Sequence, residues 1–207
     1  MATLHLDERV LNRKELSEAA LVANRAFFDD PFYKFLSNDD NLRSRGLTIF
    51  FRAMLKHLGK GGRIITVRDE HGKILGVSAW LPTDCYPQSI GTQLAQIPGT
   101  IRALYRRPKA LLHGNAYLSA IAKAHPKEPH WYLFLLVADP SVQRSGIGTM
   151  LVEHGLAMAE QEGVGSYLET QNYDNVAYYQ HFGYELVQTL SPVPSGPPLL
   201  AMWKRPR

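Results

Sequence analysis

Thiols are nearly absent: Cys85 is the one cysteine in 207 residues. That excludes an internal disulfide framework and suits a reducing compartment. No His-x-x-x-His or Cys-x-x-Cys pair occurs among the eight histidines and that cysteine, so no element offers paired ligands and no metal is expected. No window holds about 18 uncharged apolar residues. The opening Met1-Ala2-Thr3-Leu4-His5-Leu6-Asp7-Glu8-Arg9 puts charges where a secretory signal needs its apolar core. A cytoplasmic location without a membrane partner is the expectation. Charge of one sign is scarce too, with 23 basic residues against 19 acidic and a net +4. Such a balance helps attract a phosphate-bearing anion but is too small to argue for nucleic acid. Neither an internal repeat nor a linker-like shift in composition interrupts the chain, so residues 1–207 read as a single domain.

What is present alternates in period. Lys14 to Phe28 sets Leu16, Ala19, Ala20, Ala23 and Phe27 at helical spacing, and Asp29-Asp30-Pro31 stops that helix and opens a short second one through Phe35. Asp39-Asp40 is a cap for a third helix through Leu58, ended by Gly59-Lys60-Gly61-Gly62. Arg63 to Arg68 and Lys73 to Leu81 read as an antiparallel hairpin joined by Asp69-Glu70-His71-Gly72. Between Pro82 and Pro129, prolines at 98, 108 and 126 punctuate helical stretches, which marks a helical insertion at about 82–129. Its cluster Arg102, Arg106, Arg107 and Lys109 is either a solvated helix face or a contact for phosphate or an acidic partner. The turn-rich run Ser191 to Pro198 precedes a closing strand at Leu199 to Trp203.

The densest signal runs from Trp131 to Tyr184. Trp131 to Val137 is a continuous apolar run, as in a strand buried on both faces, and it stops at Asp139-Pro140. Gln143-Arg144-Ser145-Gly146-Ile147-Gly148-Thr149 follows and opens a helix from about Gly146 to Glu162. A helix start presents unpaired N–H groups and the positive end of the dipole. Glycines at 146 and 148 let a diphosphate approach, Arg144 adds charge, and Ser145 and Thr149 add hydroxyl donors. A Walker loop is excluded because no lysine precedes Thr149, and a dinucleotide fingerprint because position 151 is Leu where Gly or Ala is needed. A glycine turn that merely starts a helix is the plain alternative.

These residues resemble the GNAT superfamily of acyl-CoA-dependent N-acyltransferases. Gln143, Gly146 and Gly148 match its Gln/Arg-x-x-Gly-x-Gly/Ala signature, and Tyr167-Leu168-Glu169-Thr170 and Asn175-Val176-Ala177-Tyr178-Tyr179 follow in the expected order. The likeness covers about residues 130–190, and the Leu-Glu-Thr strand and Gly-Pro-Pro tail look like the branch containing puromycin N-acetyltransferase. The resemblance implies an α/β fold of the α+β type, with a central mixed, mostly antiparallel sheet flanked by helices and splayed near Val137 to admit acetyl-CoA. It implies direct attack of an amine on the thioester without a covalent acyl-enzyme. Backbone N–H groups around Val137 and Ala138 would meet the oxyanion and the pantetheine arm. Residues Gln143 to Thr149, with Asn175 and Tyr178, would hold the coenzyme; Asn175 is a helix N-cap, a pantetheine partner, or both. Tyr179 matches the general acid, its alternative being a packed aromatic. Glu169 is either the base that takes the amine proton or a group that orders the strand end and contacts substrate.

For the acceptor, Phe28, Asp30, Tyr33, Trp80 and Trp131 offer an acid with aromatic walls, suited to a cationic or aromatic amine, or else belong to the core. The insertion could close over a small molecule, which favours a small-molecule amine over a protein lysine. A noncatalytic acyl-CoA-binding regulatory module is the competing class, although pure binding needs neither Glu169 nor Tyr179. Nucleic-acid binding through Arg102 to Lys109 and Lys204-Arg205-Pro206-Arg207 is the third and least supported.

Overall fold

The computed structural model describes residues 3–58, 61–83, 85 and 108–206. Seven strands form one sheet: β1 (His5–Glu8), β2 (Arg63–Arg68), β3 (Ile74–Leu81), β4 (His130–Ala138), β5 (Gly165–Thr170), β6 (Glu185–Leu190) and β7 (Leu199–Lys204). Their order is β1-β2-β3-β4-β5-β7-β6, and every neighbouring pair is antiparallel except β4 with β5. The hairpin expected at 63–81 is there, with Gly72 at φ +79° making its turn.

Helices cover both faces. On one lie α1 (Arg13–Phe27), α2 (Pro31–Leu36) and α3 (Asp40–Lys56), whose starts follow local chemistry. Asn12 and Glu15 form a reciprocal capping box, Asp30 caps α2 ahead of Pro31, and Asp39 accepts from the Leu42 N–H. Ala19, Ala20 and Ala23 turn a small-residue face inward, and with Leu47, Phe51 and Leu55 they bury the sheet side formed by Val77, Ala79, Leu135 and Val137. Within the insertion, α4 (Pro108–Ala124) is described; Arg102, Arg106 and Arg107 lie outside the described residues. The opposite face carries α5 (Ile147–Gln161) and α6 (Asp174–His181), over Ile65, Val67, Trp80, Leu133 and Leu168. Among the described residues no helix is long and apolar enough to cross a membrane.

The feature that makes a site is a break in the sheet. β4 and β5 pair only at His130, Tyr132 and the residue between them, opposite Gly165, Tyr167 and Ser166. The opening therefore begins just after Tyr132, earlier along the strand than Val137. At that point β3 passes from pairing Trp80 with Leu133 to pairing Ala79 with Leu135, which leaves Phe134 as a bulge. An extra residue bends a strand and reverses its facing. Accordingly Trp131 and Leu133 pack toward α5, whereas Leu135 and Val137 pack toward α1 and α3.

Candidate active site

At the open end of β4 the chain is pinned before it turns. Asp139 donates its N–H to the Leu75 carbonyl, while its carboxylate accepts from the Ser141 N–H and hydroxyl and from Nε of Arg25 on α1 at 2.9 Å. Those donors hold the Asp139 carboxyl below its ordinary range although burial opposes them with the largest single effect. Beyond a single turn at Pro140–Val142, Arg144 takes φ +62° and Gly146 φ +86°. Left-handed backbone suits glycine and strains arginine, so the loop is held in shape by its surroundings. Ser145 donates to the Val142 carbonyl at 2.6 Å, which uses its hydroxyl proton inside the turn.

Helix α5 starts at Ile147, and its first bond to the capping residue runs from the Met150 N–H to the Gly146 carbonyl. The N–H groups of Ile147, Gly148 and Thr149 precede that bond and have no partner within the helix. Gln143, Arg144, Ser145 and Gly146 are exposed. Ile147 is different: its side chain is buried so close to β3 that a Cβ on Gly76 would lie 2.3 Å from it, so only its backbone can face a ligand. A Cβ on Gly148 would meet the Tyr178 hydroxyl at 2.6 Å, which puts that phenol over the loop. The donor set fits a diphosphate.

The Asp139 bond to β3 fixes the alternation on β4. In an antiparallel ladder N–H groups of alternate residues point to the same neighbour. Val137 therefore bonds toward β3, and the N–H groups of Leu136 and Ala138 point into the open side. The backbone donor expected around Val137 and Ala138 thus shifts to Leu136 and Ala138, while the Val137 side chain belongs to the core.

Between the helical layer and the opened strands lies a cavity of about 470 Å³, bordered by Asp30, Tyr33, Tyr132, Glu169, Asn175 and Tyr179 among others. Its outer wall is an aromatic cluster in which Phe27 touches Tyr33 and Phe51, and Phe32 meets Tyr117 edge-on at 4.6 Å. Glu169 sits at the strand end facing this space. Its Oε2 accepts from the Tyr132 hydroxyl at 2.6 Å, and its Oε1 is buried with no hydrogen bond. Burial pushes the carboxyl up to about 7, against the opposing pull of the Tyr132 and Tyr167 hydroxyls. A carboxylate poised near neutrality is suited to proton exchange. Tyr179 is buried and its phenol is pushed up by that burial, so it holds its proton until a base forms beside it.

Asn175 does not cap its helix. It lies inside α6, donating to Thr170 Oγ1 at 2.9 Å, while the Asn172 side chain accepts from the Asp174 N–H. Tyr33 borders the cavity, and Asp30 borders it too, with one oxygen committed to the Phe32 N–H. Three expected acceptor residues lie elsewhere. Trp80 is fully buried under α5, against Gly155, and donates to Ser78. Trp131 donates to Glu162 on that same side of the sheet, because strand alternation opposes it to Tyr132. Phe28 lies under the Arg43 guanidinium at 4.4 Å, outside the cavity wall. Tyr132, Arg25 and Asp139 were not singled out by sequence reasoning. The parallel pairing of Tyr132 with Tyr167, two residues before Glu169, is the signal that would have exposed the first.

Residues 30–184 match the acetyltransferase (GNAT) family. An uncharacterized N-acetyltransferase of Schizosaccharomyces pombe, C550.08, is 25% identical over 193 residues, covering 86% of this chain and 73% of that protein. A crystal structure from Corynebacterium glutamicum, described as histone acetyltransferase HPA2 and related acetyltransferase, is 25% identical at a TM-score of 0.68, covering 98% of this chain and 97% of its own. Drosophila melanogaster polyamine N-acetyltransferase, at 13% identity, shares the fold with a TM-score of 0.60 over 97% of this chain and 100% of its own length.

Proposed function

The chain belongs to the acetyltransferase (GNAT) family and is an acetyl-CoA-dependent N-acetyltransferase; from that premise we propose that it acetylates a primary amine of a small molecule by direct attack in a ternary complex. The observation that carries this reading is the buried, partnerless Oε1 of Glu169 in an aromatic-walled cavity that Tyr179 also borders.

Acetyl-CoA supplies the activated acetyl group, a thioester carbonyl open to a free amine. The residues present fit it: Ile147, Gly148 and Thr149 offer backbone donors to its diphosphate, Arg144 adds charge, and the open edge at Leu136 and Ala138 offers donors to an extended amide arm. An aliphatic amine has a pKa of about 10.4 and enters protonated. Glu169 accepts one proton through Oε1 and frees the nitrogen lone pair. The N–H group of Leu136 or Ala138 donates to the carbonyl oxygen as charge builds there. Tyr179 gives its proton to the departing sulfur and recovers one from the amide nitrogen, so the overall transfer releases a single proton to solvent through Glu169.

A cytoplasmic setting suits the single thiol, Cys85. A protein lysine is the second reading, favoured by the likeness to the C. glutamicum structure described as a histone acetyltransferase. Thiol release from acetyl-CoA, followed with a panel of primary amines and lysine peptides, tests both. Saturable release with small amines and little with peptides is expected; the reverse order assigns the acceptor to protein, and no release with any acceptor overturns the transferase mechanism.

A further inference from the structure

Tyr132 and Glu169 come from different strands and meet at the point where those strands part. The phenol donates to Oε2 of the carboxylate at 2.6 Å. Behind it His125 and His130 face each other Nε2 to Nε2 at 3.1 Å, and the His125 ring lies edge-on to Tyr132 with centroids 5.0 Å apart. The Tyr132 ring is therefore packed against His125, and its hydroxyl is directed at the carboxylate. Resting on the transferase reading above, we infer that Tyr132 is a positioning residue for the proton transfer: its hydroxyl holds Oε2, so that Oε1 is the oxygen that meets the ammonium, and it favours the charged carboxylate.

The physical case is one of competing effects on a single group. A carboxylate with no donor at this depth would stay protonated at neutral pH and could not accept a proton. A hydrogen bond to a charged group restores roughly 1.5–3 kcal/mol, which corresponds to about 1–2 pKa units. The other charged or titratable groups bordering the cavity do not replace it. Arg43 is committed to the carbonyls of Phe28 and Ser37 and to Asp40. Asp30, the cap of α2, is an acid of like charge, and Tyr33, Tyr117 and Tyr179 are phenols pushed upward by burial. Tyr167, on the same strand as Glu169, also favours the charged form, but less than Tyr132 does. Burial and the neighbouring His130 hold His125 neutral, down to about 4, and burial lowers His130 as well, so neither contributes a positive charge at neutral pH.

Tyr132→Phe removes one oxygen atom and keeps the ring. The acid limb of kcat/KM for the amine is expected to move up by about 1–2 units, with a 10- to 100-fold loss below the limb. The rate should recover above the shifted limb, and KM for acetyl-CoA should stay at the native value. A 13C titration of the Glu169 carboxyl, assigned by its absence in Glu169→Gln, reads the same shift without turnover. A limb and a carboxyl titration that both stay in place, whether the rate falls uniformly or not at all, overturn the inference. The Glu169→Gln profile separates this from failure of the underlying reading: an acid limb that persists in that variant removes Glu169 as the base, whereas a limb lost there but unmoved in Tyr132→Phe removes only Tyr132.

Discussion

In the proposed mechanism Glu169 and Tyr179 divide the proton work, because their surroundings push two different acids to opposite uses. The carboxyl, raised to about 7, is ionised above that pH and able to accept a proton from an ammonium. Turnover of the native protein should therefore rise with pH through a midpoint near 7, which a pH–rate profile at saturating acetyl-CoA checks. The phenol, pushed up by burial, stays protonated throughout that range and can only donate. Tyr179→Phe is expected to lower kcat by about 10²-fold or more while acetyl-CoA affinity by calorimetry stays near native, the scale of losing one proton donor. An unchanged kcat would remove the phenol from the reaction. Tyr178, its neighbour on α6, has its hydroxyl over Gly148 and so bears on the loop.

At the scale of elements, two glycines of α5 do different jobs. Gly155 lets the helix settle on β3, since a Cβ there would lie 2.0 Å from the fully buried Trp80 indole. Alanine gains about 1 kcal/mol in helix propensity, yet overpacking costs roughly 1–3 kcal/mol. A contact this short puts the cost at the upper end. Gly155→Ala should thus lower Tm by about 4–8 °C, read by calorimetry without coenzyme. Gly148→Ala meets only the tip of the Tyr178 side chain and should instead raise KM for acetyl-CoA several-fold with kcat little changed.

The elements themselves were largely legible, because they rest on local chemistry. Asp30-Pro31 and Asp39 do cap helices, Asp69 to Gly72 does turn a hairpin, and Gln143 to Gly148 does open a helix. What escaped depends on contacts between distant segments. Arg25 and Asp139 are 114 residues apart, and Tyr132 and Glu169 are 37 apart. Trp80 and Trp131 look like pocket walls by composition, but strand alternation sends both to the other face, and the bulge at Phe134 that decides which face is which has no local sequence mark.

Across the whole molecule, one buried polar cluster ties stability to the reactive centre. His125 sits among His130, Tyr132 and Tyr167 and stays neutral to about pH 4, below its ordinary 6.5. A base depressed by folding stabilises the native state above its unfolded value and loses that contribution as pH falls through its folded one. Because Glu169 is unchanged in His125→Leu, the Tm of the native protein should fall relative to that variant as pH is lowered from about 6.5 to 4. Glu169 runs the other way: a raised acid favours the folded state below its unfolded value near 4.5 and loses that as pH rises through about 7. The site thus opposes folding at the pH where its carboxylate is ready to react, and the aromatic and aliphatic layers on both faces of the sheet offset that cost.

The most direct measurement is the single-turnover rate of acetyl transfer to a small primary amine at saturating acetyl-CoA, taken from pH 6 to 9 in native protein and in Glu169→Gln. A native rate that climbs through a midpoint near 7, and a variant that binds acetyl-CoA normally but transfers at least about 10²-fold more slowly with that limb gone, is the predicted result. A variant as fast as the native protein with the same pH profile would contradict it.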